Sequence, residues 1–159
     1  MNWQLVLHSE KTMKLHSDGS IKAIYSATQG KKQYRPLMSS KIPAGFPSPA
    51  QDYIEGKLDL NEHLIVHPAS TFFVRVDGYS MQGAGIMPDD ILIVDRALEA
   101  TNNRIVIAIV DGELTVKRLK IKGKKYYLVP ENDEFEPILI QEGMDFIIWG
   151  VVTYVIHKV

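Results

Sequence analysis

Ile105-Val106-Ile107-Ala108-Ile109-Val110-Asp111-Gly112-Glu113-Leu114-Thr115-Val116-Lys117-Arg118-Leu119 decides the fold class. Two runs rich in β-branched residues flank Asp-Gly, the pair that supplies the positive φ angles of a two-residue hairpin turn. The same texture extends outward in both directions. Phe72–Val76, Ile91–Val94, Tyr126–Val129, Ile138–Ile140 and Phe146–Ile156 are further short apolar runs, punctuated by Gly, Pro, Asn or Asp. No strand–helix alternation and no internal repeat interrupts them. The spacing predicts a mostly β domain, an all-β sandwich or a partly open barrel.

The N-terminal third reads differently. Met13–His16 and Ile21–Tyr25 flank Ser17-Asp18-Gly19-Ser20, a second hairpin signal. Ser26–Ser40 is polar, contains Gly30 and Pro36, and reads as loop or linker. Lys41–Pro49 holds three prolines, each pushing its predecessor toward extended backbone. Ser48 and Pro49 then resemble a helix start, with Tyr53, Ile54, Lys57 and Leu58 as a short helical stripe. Asn61 is placed to cap a second turn over Glu62–His67. The expected division is an arm over residues 1–43 and a β-rich body over 44–159. Two isolated strands are marginal in water, so the arm is expected to lean on the body or on a second copy.

Composition narrows the function. At 45% hydrophobic and 23% charged, the chain has enough apolar material for a core. With no cysteine it has no disulfide, thiolate metal site or cysteine nucleophile. No apolar run approaches the roughly 20 residues of a membrane span, and the first residues lack signal-peptide architecture, so a cytoplasmic location is expected. Residues 1–44 carry seven basic side chains (Lys11, Lys14, Lys22, Lys31, Lys32, Arg35, Lys41) against Glu10 and Asp18, a net of +5 that leaves −6 for the remainder. The basic residues are scattered, which favours an arm that packs on its own acidic body over a nucleic-acid arm.

Chemistry concentrates at two positions. Ser80 follows the Phe72–Val76 run, in Gly78-Tyr79-Ser80-Met81. Glycines there allow a sharp turn, and the amides of Gly78 and Ser80 are candidate oxyanion donors, each worth about 3–4 kcal/mol when removed. Taken alone, such a serine is better explained as a turn residue. Lys117 changes the weighing. A serine needs a base, and a lysine is one if it is neutral; burial disfavours its charge. In LTVKRL, Leu114, Val116 and Arg118 share one face and Thr115, Lys117 and Leu119 the other, which leaves open whether Lys117 points inward. Ala44-Gly45, in the Pro-rich stretch, is a plausible scissile bond within the same chain. His63 and His67 are four apart but read His-Leu-Ile-Val-His, without a metalloprotease glutamate, so neither a metal nor any cofactor is expected.

Ala44–Pro49, Asp52-Tyr53, Leu58–Asn61, Gly78–Met81, Asp90–Asp95, Val110–Lys117 and Gly150–Val152 together resemble the LexA/UmuD family of self-cleaving serine–lysine peptidases, its UmuD branch most closely. The resemblance covers roughly residues 44–157. It implies a β-rich catalytic domain, Ser80 as nucleophile, Lys117 as general base and cleavage between Ala44 and Gly45. It further implies a homodimer, stimulation by a RecA–single-stranded DNA filament, and a shortened subunit that joins a UmuC-type Y-family polymerase in translesion synthesis during the SOS response. Residues 1–43 show no clear match and make a longer arm than the family's. The arm lacks a helix-turn-helix, which argues against operator binding of the LexA or phage-repressor kind. A non-enzymatic module that binds polymerase or RecA is the other reading. Signal-peptidase-like action on other chains fits less well, given the internal Ala44-Gly45.

Overall fold

The computed structural model describes residues 17–27, 30–38 and 54–159. Its strands are β1 (Ile21–Ser26), β2 (Arg35–Met38), β3 (Ile54–Leu58), β4 (Thr71–Val76), β5 (Ile91–Asp95), β6 (Ile105–Val110), β7 (Glu113–Lys122), β8 (Lys125–Val129), β9 (Ile138–Leu139) and β10 (Phe146–Ile156). Eight of them form one antiparallel sheet in the order β1-β4-β5-β10-β6-β7-β8-β9, and β2 pairs with β3 in a small second sheet. The main sheet curls until its first strand approaches β7, where Ser17 forms a parallel bridge to Leu114. The architecture is therefore the partly open barrel rather than the sandwich.

The Asp111-Gly112 turn forms as its sequence demands. Both residues adopt positive φ, 49° and 86°, and Val110 pairs with Glu113 across the loop. β10 is long enough to pair with both β5 and β6, and it does so through bulges at Ile148/Gly150 and Val152/Tyr154. Bulges sharpen local twist, which helps the sheet curl. At the first of them a Cβ on Gly150 would lie 2.6 Å from Val94 Cγ1, so only glycine fits. Trp149 meets Phe72 at a tilt of 56° with ring centroids 5.0 Å apart, and the Arg96 guanidinium sits over both rings.

Two apolar clusters result. Ile21, Ile24, Val74, Val76, Met81, Ile86, Leu92, Val94, Ile107, Leu114, Val116 and Val152 fill the curl. Val106, Ala108, Leu119, Leu128 and Val151 pack on the other face. Burying each Val, Leu or Ile contributes about 1.5–3 kcal/mol. β7 is covered on both faces, so Lys117 is enclosed along with its neighbours.

Several N-terminal expectations change. Ile21–Ser26 is not confined to an arm: it is an edge strand of the main sheet, paired with β4 from Ile21↔Val76 to Ser26↔Phe72. The proposed hairpin partner, Met13–His16, lies outside the described residues. Within the expected linker, Arg35–Met38 is a strand, and Pro36 is tolerated because a two-stranded sheet consists of edges. Ile54–Leu58 is a strand and not a helix. Pairing with β2 decides it, since Gly56 weakens a helix and four apolar or aliphatic positions are too few to fix a period. The helix start at Ser48 and Pro49 lies outside the described residues. α1 (Leu60–Leu64) is capped by Asp59, whose carboxylate accepts from the amides of Asn61 and Glu62, and not by Asn61. Among the described residues no helix is long and apolar enough to cross a membrane.

Candidate active site

β4 ends at Val76, and Asp77–Ser80 turn away from the sheet. Gly78, at φ 77°, makes the turn in a region open mainly to glycine. Ser80 is buried at 6% exposure, and Met81 and Ile86 anchor the loop beneath it. The segment after β8 holds the loop from the side. Glu131 N donates to Ser80 O at 2.8 Å, Gly83 N donates to Glu131 O at 2.7 Å, and Asn132 Nδ2 donates to Tyr79 O at 3.1 Å. An Arg118–Glu131 ion pair ties that segment back to β7.

β7 carries Lys117, 3% exposed, to the same place. Its Nζ lies 3.3 Å from Ser80 Oγ, 2.7 Å from Thr115 Oγ1 and 3.1 Å from the Val116 carbonyl. Sequence periodicity left the direction of this side chain open; it points inward. Thr115, two residues back on the same strand face, supplies the closest contact.

The fourth neighbour comes from the other end of the chain. Asp18 Oδ2 is 3.1 Å from Lys117 Nζ. The Thr115 hydroxyl donates to the same oxygen, and the Ser20 hydroxyl and amide donate to Asp18 Oδ1. Burial pushes the Asp18 carboxyl up, but hydrogen bonds from Ser20 and Thr115 and the charge of Lys117 outweigh it, leaving a net displacement below the ordinary carboxylate value. Backbone contacts fix the turn in place. Asp18 N donates to Leu114 O at 3.2 Å, Val116 N to Ser20 Oγ at 3.1 Å, and Asp77 N to Ser20 O at 2.9 Å. Gly19 O lies where a Cβ on Gly78 would come within 3.0 Å of it.

Of the residues singled out in the sequence, Ser80, Lys117 and Gly78 come together. The Gly78 amide donates to Asp77 Oδ1 at 3.1 Å. Ala44 and Gly45 lie outside the described residues. The histidines are engaged elsewhere: His67 Nδ1 is 2.6 Å from Asp95 Oδ2, and His157 Nδ1 is 2.6 Å from Asp90 Oδ1. Asp18 was missed as a site residue because Asp-Gly in a polar bend reads first as turn chemistry. Its one sequence signal is that it is an acid in a basic arm. The arm's cations do meet the body's acids, in the pairs Lys22–Asp89 and Lys32–Glu62.

The Peptidase S24-like family matches residues 36–153. The ImpA proteins of Salmonella typhimurium and Escherichia coli are 48% identical over 126 residues, covering 78% of this chain and 84% of theirs. SamA of Salmonella typhimurium strain LT2 is 49% identical over 123 residues (77% and 85%), and MucA of Escherichia coli 42% identical over 120 (75% and 82%). A match over most of the chain, with relatives of this identity aligned over most of their own length, means that the chain belongs to the S24-like peptidases and is a UmuD-like member of that family.

Proposed function

We propose that this protein is an SOS-response autoprotease that cuts its own Ala44–Gly45 bond, with Ser80 as nucleophile and Lys117 as general base. The observation that carries the reading is a lysine amine 3.3 Å from a serine hydroxyl, both enclosed by the fold. Burial is what a lysine base needs, because desolvation favours the neutral amine that accepts a proton.

Lys117 Nζ takes the Ser80 hydroxyl proton as Oγ attacks the Ala44 carbonyl carbon. The Gly78 and Ser80 amides receive the developing oxyanion, Gly78 N leaving Asp77 Oδ1 to do so. Collapse breaks the C–N bond, and Lys117 returns the proton to the Gly45 amine. Water then attacks the Ala44–Ser80 ester, giving its proton to Lys117, and the ester opens to an Ala44 carboxylate and a restored hydroxyl. Small residues on both sides of the bond let the substrate strand approach Ser80 closely. The division into a cleaved arm, 1–43 with Ala44 at its end, and a body from Gly45 belongs to this reading.

Docking of the cleavage segment around Ala44–Gly45 is the unfavourable step. A RecA–single-stranded DNA filament stimulates cleavage by stabilising the docked state. The shortened subunit acts as a homodimer with a UmuC-type polymerase in error-prone synthesis, in the cytoplasm.

The test is N-terminal sequencing of the product formed with RecA, ATP and single-stranded DNA, and separately in alkaline buffer. A fragment beginning at Gly45 is expected, and Ser80→Ala and Lys117→Ala each abolish it. The same fragment from either variant, or a rate that is flat from neutral to alkaline pH, refutes the assignment.

A further inference from the structure

The Ala44–Gly45 bond falls between β2 and β3, and these strands pair with each other from Arg35↔Leu58 to Met38↔Ile54. The chain on the N-terminal side of the bond is tied to the body three further times. β1 zips onto β4 and places Ile21 and Ile24 in the core. Around residues 32–34, Lys32 pairs with Glu62, the Tyr34 hydroxyl donates to Glu62 Oε2 at 3.2 Å, and the Gln33 amide donates to the Asp59 carboxylate. Finally, the 17–20 turn lies over Ser80 and Lys117. Breaking one peptide bond in residues 39–53 removes none of these contacts.

We propose that residues 17–27 and 30–38 stay bound to the body after the chain is cut, as a built-in peptide ligand whose Asp18 carboxylate covers the Ser80–Lys117 cleft until it is displaced. This rests on the self-cleavage reading only for the place of the cut. The recognition chemistry is visible in the contacts. The cleft takes an ionised carboxylate against Lys117 and the Thr115 hydroxyl, followed by an extended strand whose Ile21, Ala23 and Ile24 are buried. The β4 edge supplies the backbone ladder, the mode by which sheet edges bind extended peptides.

The ligand also restrains the chemistry. Nζ is faced by Thr115 Oγ1 and the Val116 carbonyl from its own strand, by Ser80 Oγ from the loop after β4, and by Asp18 from the turn. Among the described residues Asp18 is the only carboxylate paired with Lys117. An anion at that distance favours the ammonium, which cannot accept the Ser80 proton. Cleavage therefore requires the 17–20 turn to lift, while β1 and β2 can remain paired. After the cut the turn settles back and the dyad is capped again.

The test uses the full-length Ser80→Ala chain with a recognition sequence for a site-specific protease inserted between Ala44 and Gly45. After complete cutting, the two pieces are expected to co-elute in size-exclusion chromatography at micromolar concentration, with both masses in one peak. Asp18→Asn, which removes the charge and replaces one of the two accepting oxygens by a donor, is expected to weaken retention at least about tenfold. In the uncut wild-type chain, the same substitution is expected to speed appearance of the Gly45 fragment at neutral pH at least about tenfold, because the carboxylate facing Lys117 is gone. Separate elution of the arm, or an Asp18→Asn variant unchanged in both retention and cleavage rate, overturns the proposal. The engineered cut does not use Ser80. A wild-type chain that yields no Gly45 fragment in alkaline buffer would therefore refute self-cleavage while leaving the retention result to stand on its own.

Discussion

Gly83→Ala tests whether the register between the Ser80 loop and the segment after β8 sets the reactive geometry. A Cβ at position 83 would lie 2.5 Å from the Glu131 carbonyl oxygen, whereas ordinary contact begins at 3.4 Å, so about 0.9 Å must open. The atom met is backbone and cannot swing aside. Opening the gap stretches Gly83 N–H···O=C Glu131, now 2.7 Å, and pulls on Glu131 N–H···O=C Ser80, now 2.8 Å. Two hydrogen bonds at about 0.5–1.5 kcal/mol each, plus overpacking of about 1–3 kcal/mol, give a loss of about 2–6 kcal/mol. The consequence for rate is larger than the consequence for folding. A displacement near 1 Å at a reacting pair costs on the order of 100-fold. Urea unfolding in the Ser80→Ala background measures the first quantity, and appearance of the Gly45 fragment at alkaline pH measures the second. A Gly83→Ala chain with wild-type stability and wild-type cleavage rate would refute the claim that this register positions Ser80.

Ile24→Ala should lower stability by about 2–4 kcal/mol in urea unfolding, because Ile24 is buried in the central cluster; a change below about 1 kcal/mol would mean that β1 is not integral to the sheet. Gly150→Ala should cost about 1–3 kcal/mol by forcing a methyl against Val94 Cγ1, and a neutral effect would show that the bulge in β10 can relax around it. Asp18 carries a carboxyl lowered in the folded state, where the unfolded value is about 3.9. Its contribution is thus present in full above that unfolded value and is lost as pH falls through the lower folded value. Asp18→Asn should flatten this part of the acid limb in stability measured between about pH 2 and 6 and change nothing in its slope at neutral pH; an unaltered acid limb would show that the ion pair to Lys117 does not contribute to folding.

The seven strands from Thr71 onward were legible because each is a short β-branched run bounded by residues that cannot continue it. Their curl was not, since it depends on bulges in one strand and on a glycine whose need arises from a neighbour, Val94, more than fifty residues away. The pairing of β1 with β4 was not legible, because a turn rule looks only to the nearest apolar run and β4 lies some fifty residues further along the chain. For Ile54–Leu58, a stripe too short to define a period gave way to pairing with β2.

The site divides along the same line. Ser80 and Lys117 were readable because their chemistry is scarce: a serine in a glycine turn and a lysine within an apolar strand have few joint uses. What the strand pattern could not supply is the lysine's surroundings. β7 lies between β6 and β8 in the sheet, contributes to an apolar cluster on each face and is bonded to the turn before β1, so Lys117 is desolvated by tertiary structure and not by its own neighbours in sequence. Its counter-charge sits 99 positions away. Burial and Asp18 act on the amine in opposite directions, the first favouring the neutral base and the second the ammonium. On the proposed reading, a site that needs a neutral lysine but keeps a carboxylate beside it stays intact in the resting chain, and its activation is a matter of lifting the 17–20 turn rather than of rebuilding the dyad.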